Sequence, residues 1–312
     1  MMQYRLAGSL VLLAALGACS SPPPAPPREF DGAAAMRYVE TQVAFGPRVP
    51  GTEGHQRMAS WLDSLAHATA DSVFIQDWVN VTAKGEKLSL RNVMMRFNPS
   101  ATDRILFLTH WDTRPIAERS VNPEDRKKPI AGANDGASGV AVLLGMADAL
   151  KKTPSAIGVD LLFVDGEDYG SFEDSTETLL GARYYARNQA PGPKPLFAVL
   201  LDMVGDRDLQ VYQEGNSLLG APEVVERVWD AAKIAGYSKV FIATPGQTMV
   251  DDHLPLQLAG IRAIDVIDFN YGSNNSLWHT VDDTPDKLSA QSLQAVGDVM
   301  MAVVRLEAGG KK

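Results

Sequence analysis

The spacing of apolar and polar residues changes period along the chain, and each change predicts an element. From Asp31, a good helix N-cap, Met36, Val39 and Val43 recur at helical spacing and stop before Phe45-Gly46-Pro47. A second helix is predicted over residues 54–68. Residues 72–81 and 87–97 are instead rich in Val, Ile, Leu and aromatic side chains, and Ala83-Lys84-Gly85-Glu86 separates them as a hairpin-like turn. Met94 and Met95 read as core positions of the second strand. Short apolar strands then alternate with helices: strands over 104–109, 159–164, 196–201 and 262–267, helices over 137–151, 178–188 and 222–235, and a closing helix over 289–306. Such alternation predicts an α/β fold. The expected form is a single-domain three-layer α/β/α sandwich around a mostly parallel mixed sheet, with a ligand site at the carboxyl ends of the strands. No internal repeat is visible.

Acidic and histidine residues follow directly on these strands. Ile105 to Thr109 runs into His110-Trp111-Asp112, the strand ending at Val164 runs into Asp165-Gly166-Glu167-Asp168, and Leu201 is followed by Asp202. Asn134-Asp135-Gly136 opens a helix, and Trp278-His279-Thr280 lies in a loop rich in Gly, Ser and Asn. All of these fall on one edge of the sheet. So many carboxylates together repel one another strongly at low dielectric, which points to a bound divalent cation. Carboxylates mixed with imidazole suit zinc better than calcium or magnesium, which prefer all-oxygen shells. His55 and His67, in the early helical region, are expected at the surface.

Charge excludes one class of partner. With 29 Lys and Arg against 38 Asp and Glu the net charge is −9, which argues against binding nucleic acid or an anionic membrane surface. At 312 residues and 45% hydrophobic the chain can bury a large core.

The N-terminus suggests export. Arg5 precedes an apolar run over residues 6–16 that is short for a membrane span, and it ends in Leu16-Gly17-Ala18-Cys19. That ending resembles the bacterial lipobox, so the expected layout is a signal peptide over 1–18, a lipidated Cys19 with a Pro-rich spacer to residue 28, and a catalytic domain over 29–312. Cys19 is the single cysteine, and lipidation accounts for a lone thiol in an exported protein. Contact with the membrane is then through the lipid alone. Ser20 after Cys19 resembles outer-membrane sorting, which implies the bacterial cell envelope on its periplasmic side.

Taken in order, Phe45 to Thr52, His110-Trp111-Asp112, Gly132 to Gly139, Glu167-Asp168-Tyr169-Gly170, Leu201 to Gly205, Asp251-Asp252-His253 and Trp278-His279-Thr280 resemble the zinc-dependent aminopeptidase family with co-catalytic metals, specifically its glutaminyl cyclase branch. The resemblance spans about residues 45–304. It implies an enzyme acting on peptides with free N-termini and a zinc ion held by Asp135, Asp168 and His279. Glu167 would be the general acid/base, Asp251 would hydrogen-bond the scissile amide, and Trp278 would form an apolar wall. Residues matching His110 and Asp202 hold a second metal in dinuclear relatives, with the residue matching Asp135 bridging. One zinc or two therefore both fit.

Cyclisation of N-terminal Gln and removal of an N-terminal residue use the same parts. Three features favour the cyclase: the Asp251 carboxylate, the insertion between Asp112 and Ile130, and Trp278 before His279. One departure is the stretch from Ser171 to Leu180, which lacks the Trp that cyclases usually carry there. Other roles stay open. Asp202 could accept a hydrogen bond or act as a catalytic partner without binding metal, His110 could be a satisfied half-buried histidine, and Asp252 could orient His253. A non-catalytic binding module on the same scaffold is the reading from another class, and such modules lose ligands that this chain keeps.

Overall fold

The computed structural model describes residues 28–172 and 176–309. The signal-like run, Cys19 and most of the Pro-rich spacer lie outside the described residues. Among the described residues there are eight strands: β1 Ser72–Val81, β2 Lys87–Phe97, β3 Arg104–His110, β4 Gly158–Val164, β5 Ala198–Asp202, β6 Val211–Gln213, β7 Phe241–Pro245 and β8 Ala263–Ile267. The helices are α1 Gly32–Ala44, α2 Glu53–Thr69, α3 Ala137–Lys152, α4 Leu180–Arg187, α5 Gly215–Gly220, α6 Pro222–Ile234, α7 His253–Leu258 and α8 Ala290–Gly309. No described helix is long and apolar enough to cross a membrane.

Six strands form one sheet in the order β1-β2-β4-β3-β5-β8. β1 and β2 make an antiparallel hairpin, β2 joins β4 antiparallel, and β4, β3, β5 and β8 run parallel to one another. The four parallel strands are buried along their whole length, because helices cover both faces. Alternation along each strand divides the core in two. Ile105, Phe107, Leu161, Phe163, Val199 and Leu201 pack on the side of α1, α3, α6 and α8. Leu106, Leu108, Leu162, Val164 and Leu200 pack on the side of α4 and α7. The expected three-layer α/β/α sandwich with a mostly parallel mixed sheet is what forms.

Helix α3 sits close on the sheet, which fixes the loop before it. A Cβ at Gly139 would lie 2.2 Å from Thr109 Oγ1 and 2.4 Å from the Leu201 carbonyl, so only glycine lets the first turn of α3 rest on β3 and β5.

Differences from the sequence expectations have physical causes. Helix α4 begins at Leu180, not residue 178, because Leu179 takes the left-handed region at φ 56 and its N–H, with that of Leu180, bonds back to Glu167 and Gly166. β6, β7, α5 and α7 are too short for their period to stand out. His55 corrects the surface expectation. It is buried, its Nε2 lies 3.0 Å from both oxygens of Asp165, and its ring stacks on Trp111 at 4.5 Å. His67 is exposed as expected.

Candidate metal and catalytic site

The polar residues of the site sit in loops with left-handed backbone: Gly166 at φ 69 follows β4 and Met203 at φ 51 follows β5, while Gly136 at φ 98 caps α3 and His279 at φ 55 lies in the loop after β8. For a residue with a Cβ that conformation costs about 1–2 kcal/mol, which neighbouring contacts must offset.

Two buried aspartates act as anchors beneath these loops. Asp112 accepts the N–H of Glu167 at 3.0 Å on Oδ1 and that of Asp168 at 3.1 Å on Oδ2. Asp283 accepts the N–H of Asn134 at 2.8 Å and of Asp135 at 3.2 Å, and its Oδ1 also receives the Tyr271 hydroxyl at 2.8 Å. Sequence reasoning did not assign this part to either residue. Asp112 already stood in a motif, and Asp283 follows shortly after His279.

The structure brings together every candidate donor named from the sequence. His279 Nε2 lies 3.6 Å from Asp135 Oδ2 and 3.5 Å from Asp168 Oδ1. His110 Nε2 lies 3.2 Å from Asp135 Oδ1 and 3.1 Å from Asp202 Oδ1. In each trio the donor atoms fall within 4.8 Å of one another, and all are buried. Asp135 thus presents one oxygen to each trio.

Burial pushes Glu167 well above the ordinary carboxylate range; His110 opposes this, while Asp168, Asp251 and Asp252 add to it. Asp168 is also raised well above, by burial and then by the charge of Asp135. Burial works against ionising Asp135 too, yet the hydrogen bond and charge of His110 hold it below the ordinary value. Burial lowers His279, with Glu118 only partly offsetting it. His110 is raised well above its ordinary value: burial opposes protonation, but Asp112, Asp135 and Asp202 all favour it. Burial likewise raises Asp202 and, more strongly, Asp251.

A cavity of about 180 Å³ opens onto these groups, with Glu167, Asp202 and Asp251 in its polar lining. Trp278 forms one wall, edge-on to Phe269 at 4.8 Å and stacked on His279 at 3.9 Å. Phe172 and Phe269 line the same cavity and are aromatic residues that sequence reasoning missed; Phe172 is the one aromatic between Ser171 and Leu180. The orienting partner of His253 is not Asp252. His253 Nε2 lies 3.4 Å from Glu214, and neither Asp252 oxygen has a partner among the described residues.

The residues present fit zinc. Two carboxylates and an imidazole converge, His279 Nδ1 is already engaged by Glu118 at 2.8 Å so that Nε2 faces inward, and Asp168 Oδ2 is buried without a partner among the described residues.

Comparison with known proteins agrees with this geometry. Residues 92–304 match the profile described as Peptidase family M28. The chain is similar to the glutaminyl cyclase of Bacteroides thetaiotaomicron, with 38% identity, a TM-score of 0.83, and 88% of this chain and 97% of that one covered. It is similar to a zinc-dependent exopeptidase of Parabacteroides distasonis at 34% identity and a TM-score of 0.83, covering 88% and 98%. It is also similar to the glutaminyl-peptide cyclotransferase of Bos taurus, 23% identical over 82% of this chain and 77% of the bovine one.

Proposed function

The chain belongs to peptidase family M28, and from that premise we propose that it converts N-terminal glutaminyl residues of peptides to pyroglutamyl residues, releasing ammonia. The observation that carries this reading is a small cavity with Phe172 and Trp278 in its walls, where buried Glu167 and Asp251 stand beside the zinc donors.

Asp135, Asp168 and His279 would hold one zinc ion. Bound there, zinc supplies a Lewis acid that polarises the side-chain amide carbonyl of the substrate. The α-amine nitrogen attacks the carbonyl carbon of its own side chain, a new N–C bond forms, and the bond from that carbon to the amide nitrogen breaks. Glu167 takes a proton from the amine and returns it to the departing nitrogen, so ammonia leaves and a five-membered ring remains. The environment that raises the Glu167 pKa suits a group that must both hold and release a proton. Asp251, raised by burial and then by the charge of Asp202, hydrogen-bonds the amide, with Asp202 as its partner in the cavity lining. Aromatic walls hold the flexible glutaminyl side chain folded on itself, which removes part of the entropy of ring closure. His110, whose pKa is raised well above its ordinary value, lies between Asp135 and Asp202 and offsets part of their charge when protonated, without a second ion.

One observation favours a second reading. Because Asp135 presents one oxygen to each donor trio, it stands where a bridging ligand of a two-zinc aminopeptidase would stand. Mass spectrometry of a Gln-initiated peptide after incubation with the zinc-loaded protein separates the two. Loss of ammonia, about 17 mass units, is the outcome expected of acid/base ring closure. Loss of the whole glutaminyl residue would instead establish the peptidase.

A further inference from the structure

Between β3 and α3 the chain makes a long excursion, and its residues 114–120 turn back onto the donor site. Glu118 Oε1 lies 2.8 Å from His279 Nδ1 and 2.7 Å from Arg114 Nε. Arg114 Nη1 donates to Asp168 Oδ1 at 2.9 Å and to the Gly170 carbonyl at 3.0 Å. The pair therefore occupies one atom on each of two donors. What remains on His279 is Nε2, which faces Asp135 Oδ2 at 3.6 Å and Asp168 Oδ1 at 3.5 Å, while Asp168 Oδ2 is buried and unpartnered among the described residues.

The same stretch also grips the His279 backbone. The Arg119 N–H donates to the His279 carbonyl at 3.2 Å, the Val281 N–H donates to Ser120 Oγ at 3.2 Å, and the Arg119 guanidinium lies 4.2 Å over the Trp278 ring. His279 needs such support, because a histidine at φ 55 leaves the left-handed region unless neighbours hold it.

We propose that Arg114 and Glu118 are positioning residues of the zinc site: Glu118 leaves His279 Nε2 as the donor atom by occupying Nδ1, and Arg114 fixes the orientation of the Asp168 carboxylate by holding its Oδ1. This rests on the proposed function only for the identity of the metal. A carboxylate behind a ligating histidine fixes its tautomer and ring orientation. A guanidinium reaches a carboxylate and a second acceptor at once, whereas an ammonium is a point charge and does not hold that fork. The excursion read from the sequence as an insertion thus works as the back wall of the metal site.

Zinc affinity of the whole protein, measured without substrate by competition with a chromophoric chelator, tests the proposal. Glu118→Ala and Arg114→Lys should each weaken zinc binding by about 10–100-fold, the scale for removing the partner of a metal ligand. Glu118→Gln keeps an acceptor oxygen for Nδ1–H and should recover most of the loss. Unfolding midpoints of the metal-free variants should stay near that of the parent. Unchanged affinity in Glu118→Ala overturns the proposal, and so does a loss in Glu118→Gln as large as in Glu118→Ala. If Glu118→Ala fails to fold, Arg114→Lys carries the test, and parental affinity there rejects it. A parent protein that binds zinc tightly but forms no pyroglutamate would reject the cyclisation reading and leave this one standing.

Discussion

Zinc should stabilise this protein more at higher pH, and the structure sets the size of the effect. Without metal, Asp135 is held below the ordinary carboxylate value, because His110 outweighs its burial. Burial keeps His279 neutral near pH 7, whereas burial and the Asp135 charge raise Asp168 well above its ordinary value. Below that raised value the donor set carries one surplus proton, on Asp168, that the metal must displace. One displaced proton changes the apparent affinity about tenfold per pH unit, about 1.4 kcal/mol. Below the raised Asp168 value, a fall of about two pH units then weakens zinc roughly a hundredfold. With free zinc buffered at about 1,000 times Kd at the upper pH, stabilisation falls from about 4 to about 1.4 kcal/mol. At about 2 °C per kcal/mol for a chain of this size, the rise in Tm on adding zinc shrinks from about 8 °C to about 3 °C.

The metal-free protein should move the other way. A carboxylate with a raised pKa binds more protons folded than unfolded, so its contribution to stability is lost as pH rises from the ordinary value of 3.8 through the raised one. Scanning calorimetry at several pH values, with metal-buffered zinc and with chelator, reads both trends. A zinc-dependent rise in Tm that is flat with pH, or larger at the acidic end, would refute a protonated Asp168 as the donor that zinc must deprotonate.

Glu167→Gln should bind zinc like the parent yet release ammonia from a Gln-initiated peptide at least about a hundredfold more slowly, the scale for losing a positioned acid/base group; near-parental turnover removes Glu167 from that role. Phe172→Ala removes an aromatic wall of the cavity but no proton-transfer or metal-binding group, so KM should rise about tenfold with kcat little changed. Steady-state kinetics in which kcat falls instead would assign Phe172 to the chemical step. His55→Ala leaves the buried Asp165 carboxylate with the Arg91 N–H but no imidazole, and should cost about 3 kcal/mol in urea unfolding. A loss under about 1 kcal/mol would show that the pair adds nothing to stability.

The layers and the site edge were legible because both are local properties of the chain. β3, β4 and β5 are apolar runs that stop at His110, Asp165 and Asp202, and a run with its terminal polar residue can be read without knowing what lies beside it. His55 shows that a helical period must be followed through polar residues too: it falls three before Met58 and seven before Leu62, on the face that α2 buries. Phe172 and Glu118 carried weaker signals, a lone aromatic in a polar stretch and a carboxylate four residues after Arg114. Asp112 and Asp283 mark where local reading ends. Like Asp135 and Asp168 they are buried aspartates beside the site loops, and apart from the family resemblance no local pattern in the sequence separates the four. What separates them is distant backbone: Asp112 and Asp283 have both oxygens taken by N–H groups, from partners 55 to 149 residues away. Asp168 keeps Oδ2 unpartnered among the described residues, and Asp135 meets imidazole nitrogens at 3.2 and 3.6 Å. An aspartate whose lone pairs are filled by the backbone holds a loop in place, and one with an oxygen left over can hold a metal. The fold makes that division, by deciding which N–H groups reach which carboxylate.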